Sequence, residues 1–168
     1  MNTVSRWVAV VMLSVNAFAV LAADAESPYQ AIAFLAGHCW KGSAPDGKQT
    51  DEHCFKWIYG DKFLRDEHVV RSGGGSTHAG ESIYYWNGAA KRLEYLYVES
   101  DGGFSQGPVT VQGDALVFPA TSFVENGKTV TYRSRWVRAA DNAYDVVTEF
   151  QDKDAWVPGF KFHMQRTD

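Results

Sequence analysis

The chain has 168 residues, of which 45% are hydrophobic and 14% aromatic, and its formal net charge at pH 7 is −4. This length supports one domain with a hydrophobic core of its own. A mildly acidic chain lacks the basic face that binds the phosphates of nucleic acids or anionic membranes, so neither is an expected partner.

The first 22 residues have the composition of a secretory signal peptide. One basic residue, Arg6, precedes a mostly apolar segment over residues 7–22, which ends in Val20-Leu21-Ala22 before Ala23, with the small-residue spacing that signal peptidase requires. The segment is shorter than the roughly 20 unbroken apolar residues that span a bilayer, although an uncleaved anchor is the alternative. We therefore expect residues 23–168 to form the mature domain, in the periplasm or secreted, without membrane insertion after cleavage.

A short helix is predicted at the start of the mature domain. Ser27 can serve as its N-cap, and Pro28 suits its first turn. Gly37 is typical of a residue that ends a helix, and it follows the apolar segment 31–36.

The rest of the chain alternates short runs of aromatic and β-branched residues with turn residues. Glycine, asparagine and aspartate tolerate the positive φ of tight turns, and they recur at residues 45–47, 60–61, 73–75, 87–88, 101–103, 113–114, 126–127, 141–142 and 152–154. Nine such turns imply about ten strands, with no second helical pattern between them. A meander of this length removes its exposed edges by closing, so an all-β, up-and-down antiparallel β-barrel is predicted.

The chain's two cysteines flank the first predicted turn. If the hairpin turns about residues 46–47, Cys39 lies opposite Cys54 and Trp40 lies opposite His53. A pair of this kind brings the Cα atoms close enough for a disulfide, which suits an exported chain. The disulfide shares its face with charged residues and is predicted on the outer surface. The alternate side chains, predicted to point inward, include Trp40, Phe55 and Trp57.

Two histidines and a glutamate are predicted to meet inside the barrel. A turn at residues 60–61 sets His53 opposite His68, and the glycine loop at residues 73–75 sets Glu81 beside His68. Two imidazoles and a carboxylate can bind a metal ion or act as an acid–base group. The alternative is a polar network in which these groups hydrogen-bond to one another.

No signature of a known catalytic class is found in the sequence. It has no Gly-x-Ser-x-Gly elbow, no phosphate loop, no His-Glu-x-x-His and no dinucleotide fingerprint. The glycine-rich segment 73–80 precedes no helix that could hold a phosphate, so we predict that it is a rim loop. These features favour a binding protein over an enzyme and indicate no particular cofactor.

The segment FLAGHCWKG, residues 34–42, resembles the opening of lipocalin-like (calycin-type) barrels and of related exported bacterial domains of unknown function. The closing strands are similar as well. In that pattern a tryptophan on the first strand packs under an arginine from the end of the chain, and the resemblance assigns these places to Trp40 and Arg166. Haem-binding barrels of this shape have an inward histidine late in the chain, whereas the phase of the last strand predicts His163 outward.

An aromatic barrel interior favours an apolar or planar ligand. The leading hypothesis is therefore an exported protein that binds a small hydrophobic molecule. The candidate lining residues are Trp40, His53, Phe55, Trp57, His68, Tyr85, Trp136 and Phe162. Two alternatives stay open: a metal- or haem-dependent enzyme that uses His53, His68 and Glu81, and a structural or inhibitor-like barrel with a filled core.

Overall fold

A computed structural model describes residues 27–73, 75–125 and 127–168, so the predicted signal peptide over residues 1–22 lies outside the described residues. Ten antiparallel strands pair in chain order, and β1 closes the barrel against β10, which confirms the predicted fold class. A 3₁₀ helix spans Gln30–Leu35, and the strands are β1 (Cys39–Ser43), β2 (Gln49–Ile58), β3 (Phe63–Ser72), β4 (Gly75–Asn87), β5 (Arg92–Glu99), β6 (Phe104–Gln112), β7 (Ala115–Glu125), β8 (Lys128–Ala140), β9 (Ala143–Asp152) and β10 (Ala155–Arg166). Within the described residues, no helix combines the length and hydrophobicity needed to span a membrane.

The 3₁₀ helix closes one end of the barrel. Ile32 and Leu35 are fully buried, and the Trp40 indole Nε1–H donates a hydrogen bond of 3.2 Å to the Leu35 carbonyl. The N-cap residue is Tyr29 and not Ser27, because the helix begins later than the sequence predicts. Gly37 takes a positive φ of +80° after the helix, as its predicted role in ending the helix requires.

Closure between the first and last strands sets Trp40 directly opposite Arg166. Trp40 is fully buried and its ring packs edge-on against Tyr144, with 5.1 Å between the ring centroids. The arginine is exposed, and its guanidinium lies 3.5 Å from the His38 ring. Trp40 and Arg166 are therefore cross-strand neighbours, and the packing of the indole under the arginine stays a prediction of the resemblance.

The first two hairpins have the registers that the sequence predicts. Cys39 pairs with Cys54 and the two form a disulfide, with 4.1 Å between their Cα atoms. His53 pairs with His68 across β2 and β3. Gly47, with a φ of +69°, makes the tight first turn possible, because L-residues with a side chain rarely adopt this conformation.

The third hairpin differs from the prediction by one residue. The pairing of β3 with β4 shifts at a β-bulge next to Val70, so that Gly80 lies opposite His68 and Glu81 lies opposite Glu67. Since neighbouring residues on a strand point to opposite faces, this shift moves Glu81 to the outer face. There its carboxylate binds the Arg65 guanidinium at 2.7 Å. The predicted inward position of Glu81 was therefore wrong.

Loss of the disulfide should destabilise the barrel without unfolding it. Replacing both Cys39 and Cys54 by alanine opens a loop with a sequence separation of 15 residues. A crosslink of this span is expected to contribute about 2–4 kcal/mol to the free energy of unfolding. Urea unfolding followed by tryptophan fluorescence measures the loss. A reducing agent should lower the stability of the wild type by a similar amount and leave that of the double variant unchanged. Equal stabilities of the two proteins without the reducing agent would contradict the prediction.

Candidate functional site

A cavity of about 470 Å³ occupies the barrel interior at the end opposite the 3₁₀ helix. The helix and its buried contacts fill the other end, so the mouth lies among the hairpins that join β1 to β2, β3 to β4 and β5 to β6. The lining residues are Gln49, Asp51, His53, Asp66, His68, Val70, His78, Ser82, Tyr84, Tyr95, Tyr97, Glu99, Asp101, Phe118, Phe123, Val130, Tyr132, Ser134, Trp136, Val146, Thr148, Phe150, Phe160 and Phe162.

Aromatic rings form most of the cavity floor and one wall. The Trp136 indole lies 4.9 Å from the Phe118 ring and 6.5 Å from the Tyr84 ring, centroid to centroid. All three side chains are buried. The planes of the Phe118 and Tyr84 rings are inclined to that of Trp136 by 48° and 67°, so each ring is a separate apolar surface on which a planar molecule can stack.

The wall formed by β2 and β3 is polar, and its centre is the buried His53 ring, which lies 5.6 Å from the Trp136 ring, centroid to centroid. Its Nδ1 lies 2.9 Å from Asp66 Oδ2, and its Nε2 lies 3.1 Å from Asp51 Oδ2. Strand phase explains this arrangement, because Asp51 and His53 are two apart on β2 and Asp66 faces them from β3. The imidazole is thus placed between two carboxylates in an interior that excludes most water.

This electrostatic environment favours the protonated imidazole. Burial by itself lowers the pKa of His53, but the charges of Asp66 and Asp51 outweigh burial and raise that pKa to about 10. Burial raises the pKa of the Asp51 carboxyl, but the charge of His53 more than offsets it and holds that pKa well below its usual range. At neutral pH the protonated His53 is therefore paired with an ionised Asp51.

A second part of the polar wall extends from His68 toward the mouth. His68 Nε2 lies 2.8 Å from the Tyr97 hydroxyl, and the same hydroxyl lies 2.9 Å from His78 Nε2. Glu99 Oε2 is 3.2 Å from that nitrogen of His78. Gly80, opposite His68, leaves room for this contact, because a Cβ there would lie 2.5 Å from His68 Nε2.

Three side chains of the polar wall could hold a metal ion. Asp51, His53 and His68 each offer one donor atom, and these atoms all lie within 4.8 Å of one another. Of the predicted metal set, the two histidines meet, with 4.8 Å between their ring centroids. Glu81 does not reach them from the outer face. Asp51 occupies the place that the sequence prediction gave to this glutamate.

Four of the eight predicted lining residues lie in the cavity wall, namely His53, His68, Trp136 and Phe162. Trp40 and Phe55 are buried but lie outside the lining, and Trp57 packs against Tyr29 with 5.3 Å between ring centroids. Tyr85 lies on the outer face, where its hydroxyl donates to Glu94, because the same one-residue shift turns Tyr84 inward in its place.

The sequence prediction missed Asp51, Asp66 and Tyr97. A signal for two of them was present, since Asp-Glu-His occurs at residues 51–53 and again at 66–68. In each copy the aspartate is two residues from the histidine and therefore faces the same side of its strand. Tyr97 had no local signal, because its place beside His68 depends on the β4–β5 register.

Acidic groups dominate the charge of the cavity. Its described lining includes four carboxylates, from Asp51, Asp66, Glu99 and Asp101, and no lysine or arginine. His163, the late histidine of β10, lies on the outer face, where its Nδ1 is 2.7 Å from Asp145. The orientation predicted for His163 is therefore correct.

No protein-family model and no curated protein matches this sequence.

The raised pKa of His53 should appear as a loss of stability at alkaline pH. The stabilisation it provides is complete below its ordinary pKa of 6.5 and is lost as the pH rises to about 10. The stabilisation from Asp51 is present above its ordinary pKa of 3.8 and is lost as the pH falls below that value. The free energy of unfolding of EDTA-treated protein, measured with urea at a series of pH values, should therefore be highest between the two ordinary pKa values, 3.8 and 6.5.

His53→Gln should flatten the alkaline limb of this profile, while His163→Gln, which removes an exposed histidine that also pairs with an aspartate, should leave it unchanged. Equal alkaline slopes for His53→Gln and the wild type would contradict the assignment.

Proposed function

We propose that this protein is an exported, lipocalin-like carrier or sensor that binds one small, largely apolar and planar molecule inside its barrel. The observation that carries the proposal is the cavity of about 470 Å³, open at one end of a closed barrel. Small-molecule sites typically enclose about 300–1,000 Å³, with mostly apolar walls and a few polar groups that orient the ligand.

The aromatic wall supports a planar ligand. The rings of Phe118, Trp136 and Tyr84 present apolar faces to the cavity, while Tyr132, Phe150 and Phe160 lie nearer the mouth. Stacking on such rings stabilises a planar molecule beyond the burial of its surface. A ligand with a hydrogen-bonding end would meet the Tyr97 hydroxyl and the histidines on the other side.

The charge of the cavity lining restricts the class of ligand further. A fatty acid or another anionic ligand needs a buried cation to offset the loss of its hydration, and the described lining has no lysine or arginine. The positive charge on His53 is already balanced by two aspartates. The ligand is therefore proposed to be uncharged or cationic.

Export is supported by two independent features. The Cys39–Cys54 disulfide persists in oxidising compartments, and residues 1–22 have the composition of a signal peptide. We propose the periplasm or the extracellular medium as its location, with residues 23–168 as the mature domain.

Cleavage of the leader can be checked directly. When the full chain is expressed in a bacterium with two membranes, the protein released from the periplasm should begin at Ala23. Intact mass and N-terminal sequencing measure this position, and a full-length protein retained in the cytoplasm or in the membrane fraction would contradict export.

Ligand binding can be tested with two dyes of similar size but different charge. Neutral N-phenyl-1-naphthylamine should bind with one site per chain and an increase in fluorescence. The anionic dye 1-anilinonaphthalene-8-sulfonate should bind at least about tenfold more weakly, because the carboxylates of the cavity repel it. Fluorescence titration of EDTA-treated protein at neutral pH measures both affinities.

A variant that obstructs the cavity separates interior binding from surface binding. Val130 lines the cavity near the mouth, whereas its neighbour Thr129 is exposed on the other face of β8. Val130→Trp should reduce the affinity for the neutral dye by about tenfold or more by filling the cavity, while Thr129→Trp should not change it. Two results would instead support the filled-core barrel. One is a folded protein that binds neither dye, and the other is an affinity for the neutral dye that Val130→Trp leaves unchanged.

A further inference from the structure

We propose that Asp51, His53 and His68 form a binding site for one divalent first-row transition-metal ion on the polar wall of the cavity. The proposal is independent of the small-molecule ligand above, because it rests on the positions of three donor groups and not on the size of the cavity.

The donor atoms already have the spacing of a metal coordination sphere. Asp51 Oδ2 lies 3.1 Å from His53 Nε2, and Asp51 Oδ1 lies 3.4 Å from His68 Nδ1. Metal–ligand bonds of about 2.0–2.2 Å in a tetrahedral site separate neighbouring donor atoms by about 3.3–3.6 Å. The whole set lies within 4.8 Å, so small side-chain rotations bring all three donors onto one ion.

Two of these donor atoms lack a hydrogen-bond partner among the described residues. Asp51 Oδ1 and His68 Nδ1 are both buried from solvent and lie 3.4 Å from each other, within ion-pair distance, but neither makes a hydrogen bond to a described residue. Asp51 as a whole is only 7% exposed. Buried polar atoms that lack a hydrogen bond destabilise a fold, so the close approach of these two atoms indicates that a ligand of both completes the site. A cation between them would accept a lone pair from each.

The surrounding groups present the correct nitrogen of each ring to the ion. Asp66 accepts a hydrogen bond from the Nδ1–H of His53, and an ion takes the place of the Nε2 proton that this ring donates to Asp51 in the metal-free protein. The Tyr97 hydroxyl lies 2.8 Å from His68 Nε2 and can accept from its N–H, in the tautomer that leaves Nδ1 free to bind the ion. Histidines that bind metals commonly donate their second N–H to a carboxylate or another acceptor, which fixes the tautomer and the ring orientation.

The donor set also selects the kind of metal. Two imidazole nitrogens and one carboxylate suit zinc, iron, cobalt or nickel, whereas calcium and magnesium prefer oxygen ligands alone. Three protein ligands leave at least one coordination position, as in catalytic metal sites and unlike closed structural ones. Since Asp51, His53 and His68 all line the cavity, the open position faces the space where a small molecule would bind.

Titration of tag-free, EDTA-treated protein with Zn²⁺ by calorimetry should give one ion per chain, and Co²⁺ should produce visible absorption bands of a four- or five-coordinate site. Asp51→Asn and His68→Gln preserve side-chain size and should weaken Zn²⁺ binding by at least about 100-fold. Asp66→Asn, which removes only a positioning residue, should weaken it by about 10- to 100-fold. Far-UV circular dichroism establishes that each variant is folded.

Two matched controls should bind Zn²⁺ like the wild type. His163→Gln removes a histidine that pairs with an aspartate on the outer face, and Glu81→Gln removes the glutamate that the sequence prediction assigned to the metal. If a variant fails to fold, histidine ¹³C and ¹⁵N shifts of the wild type still identify the metal-bound nitrogens as Nε2 of His53 and Nδ1 of His68.

Failure to bind any of these ions, or binding that Asp51→Asn and His68→Gln leave unchanged, would overturn the proposal. Either result would leave the dye experiments unaffected, so a missing metal site and a missing small-molecule site can be told apart.

Discussion

The alternation of side chains along β2 and β3 is the constraint on which the rest of this molecule depends. One face of each strand carries the aspartates and histidines of the polar wall, and the other carries charged residues and, on β2, Cys54 of the disulfide. Since ten strands close on themselves, every inward face meets the others in one enclosed space. The polar wall exists because Asp51, His53, Asp66 and His68 all fall on the inner phase, where they are buried beside aromatic rings and must bind one another.

The tight turns of the first two hairpins made the pairing of β1 with β2 and of β2 with β3 predictable from the sequence. The turns at residues 46–47 and 60–61 left little choice of register, so the disulfide and the opposition of His53 and His68 could both be derived. The third hairpin could not be derived in the same way. Its glycine-rich turn allows several loop lengths, and a β-bulge then shifts the pairing once more. Because the side-chain period is two, that single shift exchanged Glu81 and Tyr85 for Gly80 and Tyr84 on the inner face.

The residues that the sequence prediction missed share a physical reason. Asp51 and Asp66 appear in the sequence as ordinary surface acids, since carboxylates are rarely buried unless a partner offsets the loss of hydration. In the structure the partner of each aspartate is a histidine on the neighbouring strand or on the same strand. Long-range closure also decides the depth of the aromatic residues. The helix and Trp40 fill the closed end, so the cavity is formed by rings farther along the strands, including Phe118 and Tyr84.

The missing side chain of Gly80 has a consequence for how such a barrel can change over evolution. A methyl group there would collide with the His68 imidazole and with the Tyr97 ring, at 2.5 and 2.6 Å. Strand β4 would still pair with its neighbours, because the backbone hydrogen bonds do not involve that position's side chain. Replacing Gly80 by alanine would thus remove the contact between His68 and Tyr97 and keep the β-barrel. In this fold, the barrel and the polar contacts inside it can therefore change independently during evolution.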